Sequence, residues 1–489
     1  MWIECPLASP HLFCLFVKSV SVLSSVDRLI EDCRSKMAYS KAGLLTALTC
    51  YSLGNVFVFS LVQRCLPTPY IDEFFHVRQA LQYCNHNFTH WDPKITTLPG
   101  LYILSMALHT VFGIPCTVFF LRLTNIMISY LNFCLIHNIF SCLCTSRKVP
   151  KKNSFVTWNT INTAFFPVMY FFNFLYYTES VSTLFVLAAY SCSLNKKYWL
   201  SAMFGFLSIT VRQTNVAWVG FLMVAHVIDY MAIDIPFVRR YLNIILNQGL
   251  LKAVDYLVKK EKIYDRLEIL FSNIIGYFFV CLLFLVFLAW NRGIVVGDRT
   301  AHEPVIHLCQ IFYFAVFVLV FKPSLFFSKI KCFIAALKRN VFLSVLCLGV
   351  ISLIVHVNTM AHLYLLSDNR HYSFYLWRFY CAVSSKAPFV FVPLFMFGLY
   401  SIESIINFYP WKYAYYFSMG LLIIPQKLLD FRYYILPFVF LRLQILKDEW
   451  WQLAIESLAI IVINTVFLYI FVTKEIYWVD FKEPQRLIW

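Results

Sequence analysis

Apolar runs near the length that crosses a bilayer as a helix, roughly 17–25 residues, follow one another almost from end to end of this chain. They fall near 43–64, 116–142, 154–173, 178–195, 198–212, 214–231, 268–290, 304–321, 340–361, 388–406, 411–428, 433–445 and 452–472. Backbone polar groups in lipid must be satisfied within the protein, which leaves helices or closed barrels. Continuous runs, without period-two alternation, select helices. Only 13% of residues are charged and 60% are hydrophobic, against about 25% charged in soluble domains. The expected fold is therefore an all-α polytopic membrane protein with about 11 to 14 transmembrane helices. The segment 101–113 is apolar but short, and reads as a surface or re-entrant helix.

The formal charge of +16 would suggest nucleic acid on a soluble protein. Here the basic residues sit in short gaps between apolar runs and form no stripe with interleaved aromatics, so a nucleic-acid partner is not expected. Arg147, Lys148, Lys151 and Lys152, then Lys196 and Lys197, the basic residues of 232–267, and Lys322 to Arg339 all fall on one side if 101–113 does not cross. By the positive-inside rule that side is cytoplasmic. The loops 65–115, 291–303, 362–387 and 429–432 then share the opposite side. The loop 232–267 reads either as an amphipathic surface helix or as a charged linker.

Residues 9–24 are broken by Lys18 and serines and make a poor signal peptide. A polar stretch from Asp27 to Lys36 precedes the first strong run. The expectation is a start at Met37, with 1–36 a dispensable extension and 37–489 one multispan unit. The 16 cysteines are scattered without CxxC pairs and behave as small hydrophobes. Cys65 and Cys84 flank the first polar loop, where they either pair in an oxidising lumen or stay free, the free state being preferred.

That loop, 65–115, carries the most chemistry. Adjacent carboxylates, Asp72 and Glu73, lie just past a span, where buried charge is costly and needs a reason. One reading makes them a general base and its partner; the other makes them a solvated helix start capped by Asp72. His76 follows Asp72 by four residues. With no HExxH and no third ligand evident, it is read as a hydrogen-bonding residue and no metal site is expected. Asn87-Phe88-Thr89 is the single Asn-x-Ser/Thr sequon and a candidate glycosylation site. Asp298, Arg299 and His302 occupy a second loop on the same side, and Asp368, Arg370 and His371 a third. Arginine and histidine suit a phosphate or a sugar hydroxyl network. Glu179, Arg212 and Arg432 lie at span ends, where such residues pair or snorkel.

The segments Pro69-Tyr70-Ile71-Asp72-Glu73-Phe74-Phe75-His76, Trp91-Asp92-Pro93, Thr96-Thr97-Leu98-Pro99-Gly100, Phe171 to Glu179, Arg212-Gln213-Thr214-Asn215, Gly297-Asp298-Arg299, Asp368 to Tyr372 and Phe431 to Pro437 run in that order. Together they resemble the eukaryotic alpha-1,2-glucosyltransferase family that adds the last glucose to the dolichol-linked oligosaccharide of N-glycosylation. The resemblance covers about 40–489. It implies a C-type multispan glycosyltransferase fold in the endoplasmic reticulum membrane, with a luminal active site and no cofactor. The implied donor is dolichyl-phosphate glucose. The implied acceptor is the diglucosylated dolichyl-diphosphate-linked oligosaccharide, and transfer inverts the sugar carbon. The base maps onto Asp72 or Glu73, with Asp72 preferred and Glu73 its partner. Arg299, Arg370, His371 and Arg432, with His302 a weaker candidate, would stabilise the leaving phosphate. His76, Trp91, Asp92, Glu179, Arg212, Asp298 and Asp368 complete the expected substrate-binding set. Two alternatives are kept: a transferase using another dolichyl-phosphate sugar, and a membrane transporter or channel-like protein.

Overall fold

The computed structural model describes residues 43–149, 153–232, 263–299, 303–382, 387–406, 409–479, 481 and 483–489. The expected extension 1–36, nearly all of the loop 232–267, and His302 lie outside them. Among the described residues the chain is helical, apart from one two-stranded antiparallel ribbon, β1 (Glu475–Ile476) with β2 (Gln485–Arg486).

Among the described residues five helices have the length and apolarity to cross a bilayer: α1 (Gly43–Cys65), α4 (Val118–Ser146), the Glu268–Asn291 part of α10 (Ile263–Asn291), α13 (Val341–Asn358) and α20 (Trp450–Thr473). Their outer faces are apolar and open, as at Leu53 and Phe57 on α1, Phe278 on α10, Phe342 on α13 and Ile461 on α20. Side chains of that kind face lipid. Several other expected spans are shorter apolar helices, such as α7 (Glu179–Leu194), α8 (Tyr198–Val211) and α17 (Val392–Glu403). Prolines and polar interior residues account for two of these breaks. The run 304–321 begins its helix late, as α11 (Cys309–Phe321), which turns by 118° at Lys322-Pro323 into α12 (Ser324–Arg339). The cations Lys329, Lys331, Lys338 and Arg339 of α12 sit on an amphipathic helix of the type that lies along a membrane surface.

The run 154–173 is likewise not one helix. It divides into α5 (Asn153–Ala164) and α6 (Pro167–Phe172), and Asn173 to Thr178 then run non-helically through the interior. Such backbone is tolerated at depth only when protein groups satisfy it. Asn125 of α4 does so, its Nδ2 donating to the carbonyls of Leu175 (2.7 Å) and Tyr177 (2.9 Å). Asn132, two turns on, donates to the Ser180 carbonyl at 3.0 Å. The polar residues inside the second apolar run thus bind a broken helix beside it.

Away from the polar loops, Lys322 is buried and is not one of the exposed orientation charges with which the sequence groups it. Its Nζ meets Asp448 Oδ2 at 2.6 Å and Glu456 Oε2 at 2.7 Å. Arg442, at the end of α19 (Ile435–Leu443), holds the same Glu456 through two nitrogens, at 2.6 and 2.8 Å. Two cations and two carboxylates therefore balance, which is the condition for burying charge. They join the α11–α12 bend to α19 and α20.

Candidate functional site

One cavity of about 1020 Å³ opens where the polar loops meet. Its wall takes Thr68 to Asp72 after α1, His76 from α2 (Glu73–Cys84), Lys94 to Thr97, Thr178 and Glu179 at the start of α7, and Arg212 just past α8. Asp298, Tyr364, Asp368, Arg370, Arg432, Trp478, Phe481 and Glu483 to Gln485 close the rest. Each loop leaves or enters a helix at this one end of the bundle, so the four loops expected to share a side do converge.

The two neighbouring carboxylates have opposite surroundings. Glu73 is 0% exposed. Both its oxygens are taken: Arg122 Nε donates to Oε1 at 2.8 Å and Arg122 Nη2 to Oε2 at 2.6 Å. The amides of Tyr176 (2.7 Å) and Tyr70 (3.0 Å) add two more bonds. Arg122, itself 0% exposed, also donates to the carbonyls of Leu66 and Thr68 at 2.7 and 3.0 Å. This carboxylate ties three chain segments together and is absent from the cavity wall. Sequence reasoning passed over Arg122, although a lone arginine inside an apolar run is itself a signal of a buried partner.

Asp72 lies on the wall with its side chain 43% exposed. It precedes α2 but makes no side-chain capping bond, so the capping reading is not realised. Instead its Oδ2 accepts from Arg432 Nη1 at 2.8 Å. Arg432 is fixed in turn by Asp430, whose Oδ2 accepts from Nε at 2.8 Å. Burial opposes ionisation of Asp72, but Arg432, with His76 and His371 nearby, holds its pKa below the ordinary aspartate value. The backbone that presents it is strained: Ile71 has φ +54°, a left-handed conformation that costs a β-branched residue about 1–3 kcal/mol.

The other arginines on the wall are paired similarly. Arg212 Nη1 donates to Glu179 Oε1 at 2.7 Å, and Arg370 holds Asp368 through Nε and Nη2 at 2.9 and 2.8 Å. Arg370 also donates to Gln485 Oε1 at 3.2 Å and lies 4.2 Å over the Trp478 ring. His76 Nδ1 is 2.6 Å from the Tyr102 hydroxyl. Burial lowers its pKa, against the pull of Asp72.

Some expected residues serve the walls rather than the space within. Asp92 accepts the Lys94 amide at 2.9 Å, and the Trp91 ring donates to the Ile95 carbonyl at 3.3 Å; both shape the 91–97 loop. Gly297, at φ +76°, lies against that loop, and a Cβ there would come within 2.5 Å of the Pro93 carbonyl oxygen. The Asp298 amide reaches the same oxygen at 2.8 Å. The Gly297-Asp298 pair is thus a seam between two loops, as well as bringing Asp298 to the wall. Arg299 is not on the wall; it donates to the Asn291 carbonyl and side chain at the end of α10, at 2.5 and 3.1 Å. His371 is also set back, its Nδ1 2.9 Å from the Trp489 main-chain oxygen.

Asn87 is exposed, its amide donating to Gln82 Oε1 at 2.8 Å. Cys84 forms a disulfide with Cys116, bracketing α3 (Gly100–Phe112), while Cys65 is free. The free state preferred for Cys84 from the sequence is therefore overturned, and its partner is Cys116, just before the next span, rather than Cys65. Among the described residues no three His, Cys, Asp or Glu side chains gather into a metal-binding group.

Residues 66–443 match the model of the DIE2/ALG10 family. A human protein named Dol-P-Glc:Glc(2)Man(9)GlcNAc(2)-PP-Dol alpha-1,2-glucosyltransferase is 34% identical over 463 residues, covering 91% of this chain and 98% of its own length. Proteins with the same name from Drosophila melanogaster and Arabidopsis thaliana are each 31% identical, covering 86% and 91% of this chain and 93% and 100% of their own lengths. No solved structure matches.

Proposed function

The chain belongs to the DIE2/ALG10 family, and from that premise we propose that it transfers glucose from dolichyl-phosphate glucose to the diglucosylated dolichyl-diphosphate oligosaccharide, with Asp72 as the base. The relatives' printed names supply donor, acceptor and linkage. The observation that carries the residue assignment is the contrast between the neighbouring carboxylates: Asp72 opens on the cavity, whereas Glu73 is sealed by Arg122.

In this reading the acceptor hydroxyl oxygen attacks the sugar C1 and the C1–O bond to the phosphate breaks. Dolichyl phosphate leaves with the bonding electrons on the opposite face, which inverts a β-linked donor into an α-linked product. Asp72 takes the hydroxyl proton. Its lowered pKa keeps it ionised at the cost of basicity, so proton transfer comes late, once bonding to C1 has made the hydroxyl acidic. Arg212, Arg370 and Arg432 are each pinned by a carboxylate. Cations fixed in advance stabilise charge developing on a leaving phosphate without reorganising. The cavity is assigned to the lumen of the endoplasmic reticulum, which agrees with the exposed sequon at Asn87 and with the basic gaps at the other ends of the spans.

The deciding experiment gives purified protein a defined diglucosylated acceptor with either dolichyl-phosphate glucose or dolichyl-phosphate mannose. Glucose transfer in α-1,2 linkage is expected. Transfer of mannose alone would reassign the donor, and no transfer with either would return the chain to the transporter reading.

A further inference from the structure

The left-handed turn at Ile71 persists only because both sides of it are held. Downstream, the Asp72 amide donates to the Tyr177 hydroxyl at 3.2 Å and its carboxylate meets Arg432. Upstream, the Tyr70 amide donates to Glu73, and its carbonyl accepts from the Tyr177 hydroxyl at 3.2 Å. Tyr70 is held once more, from 416 residues away: its hydroxyl donates to the Arg486 carbonyl and accepts from the Arg486 amide at 2.8 Å. The ring is buried. Arg486 belongs to β2, and its guanidinium is anchored on the Val472 carbonyl at 2.6 Å and on Glu475 at 2.9 Å. The same strap supplies Gln485 to Arg370, and its main chain pairs with that loop, the Ile488 amide reaching the Arg370 carbonyl at 2.8 Å.

We propose that Tyr70 is a positioning residue for the transfer: seated on the main chain of Arg486, its hydroxyl holds the Ile71 turn that aims Asp72 into the cavity, which makes the 483–489 strap part of the active site. This rests on the reading of Asp72 as the base. Removing the hydroxyl strips two buried main-chain groups of their partner and lets the turn relax. A displacement of the reacting carboxylate by about 1 Å lowers turnover about 100-fold.

Two substitutions act on the turn in opposite senses. Tyr70→Phe removes the clamp, whereas Ile71→Gly removes the β-branched side chain that opposes a positive φ, so that the turn forms without strain. In full-length protein in nanodiscs, Tyr70→Phe is expected to lower kcat at least about tenfold while KM for both lipid-linked substrates stays within about twofold. The acid limb of its kcat profile should move to higher pH, because Asp72 no longer faces Arg432 squarely. The groups facing Asp72 are Arg432, His76, His371 and Tyr177, with Asp430 behind Arg432; neither substitution alters any of them. Adding Ile71→Gly to Tyr70→Phe should recover part of the lost kcat and return the acid limb toward the parent's, since a turn free of strain depends less on the clamp. A double variant no more active than Tyr70→Phe, or an acid limb unmoved in Tyr70→Phe, would overturn the proposal and leave Tyr70 a packing residue. Asp72→Asn run alongside separates the two readings. If it stays active, the base assignment is lost. If it is dead while Tyr70→Phe turns over normally, only the positioning role is lost.

Discussion

Asp72 Oδ2 lies 2.8 Å from Arg432 Nη1, although 360 residues separate the two in the chain. The contact brings the first polar loop against the last and fixes which of two adjacent carboxylates faces the substrate space. Glu73, one residue on, points the other way into the grip of Arg122.

Opposite consequences follow for the two carboxylates. Asp72→Asn keeps the shape of a half-exposed side chain, so the protein should fold and bind its substrates. Its turnover should fall by about 100- to 10,000-fold, the range for loss of a general base. Glu73→Gln leaves the buried Arg122 guanidinium without its counter-charge, which costs about 3–5 kcal/mol. That variant should appear first as low yield and a lowered melting temperature. A side-by-side measurement of yield, thermal unfolding and kcat checks both, and a well-folded Glu73→Gln with no activity would reverse the roles.

Arg432 also sets the pH dependence. It holds the Asp72 pKa below the ordinary aspartate value, about 3.9. The stability that Asp72 lends is thus present above that value and lost as the pH falls through the lowered one. With Arg432→Gln the pKa rises, so the base protonates at a higher pH. The acid limb of kcat should move upward in pH, and kcat itself should fall with the loss of a fixed cation. A profile of the Arg432→Gln protein with an unchanged acid limb would detach Arg432 from the base.

Much of this arrangement can be read from the chain alone, and the unread part has a common cause. Apolar run length marks the five membrane-length helices among the described residues, and the spacing of the basic gaps groups together the loops that meet at the cavity. What run length does not register is where a helix breaks. Pro167 and Pro323 mark two of the breaks, but the non-helical Asn173 to Thr178 segment depends on Asn125, 50 to 52 residues before the carbonyls it holds. The split roles of Asp72 and Glu73, the Tyr70–Arg486 clamp and the buried Lys322–Glu456–Arg442 cluster all depend on partners 14 to 416 residues distant. Side-chain chemistry names such residues as needing a partner; only the packed bundle says which one.

The motif arginines should separate by position. Arg370 is on the cavity wall and Arg299 is not; Arg299 instead caps the end of α10. Arg370→Ala should lower kcat/KM by about 10- to 1,000-fold, as expected when a preorganised donor to developing charge is removed. Arg299→Ala should stay within about threefold of the parent, losing an exposed cap that contributes on the order of 1 kcal/mol. Steady-state kinetics with the donor varied checks this, and equal losses in the two variants would place Arg299 at the phosphate.

The buried cluster around Glu456 supplies the control for a residue that matters to the fold alone. Glu456 joins Lys322 and Arg442, and Asp448 completes the charge balance. None of these residues lines the cavity. Glu456→Gln removes one of two negative charges while leaving both cations buried, and breaking such a set costs about 3–5 kcal/mol. The variant should melt at a lower temperature and yield less folded protein, while kcat per folded molecule stays near the parent's. Glu456→Gln combined with Lys322→Met restores the balance and should recover much of the loss, since a buried ion pair replaced by an apolar side chain is often neutral or better. Thermal unfolding of the single and double variants tests this directly: if the double variant is no more stable than Glu456→Gln alone, charge balance is not what holds that region together.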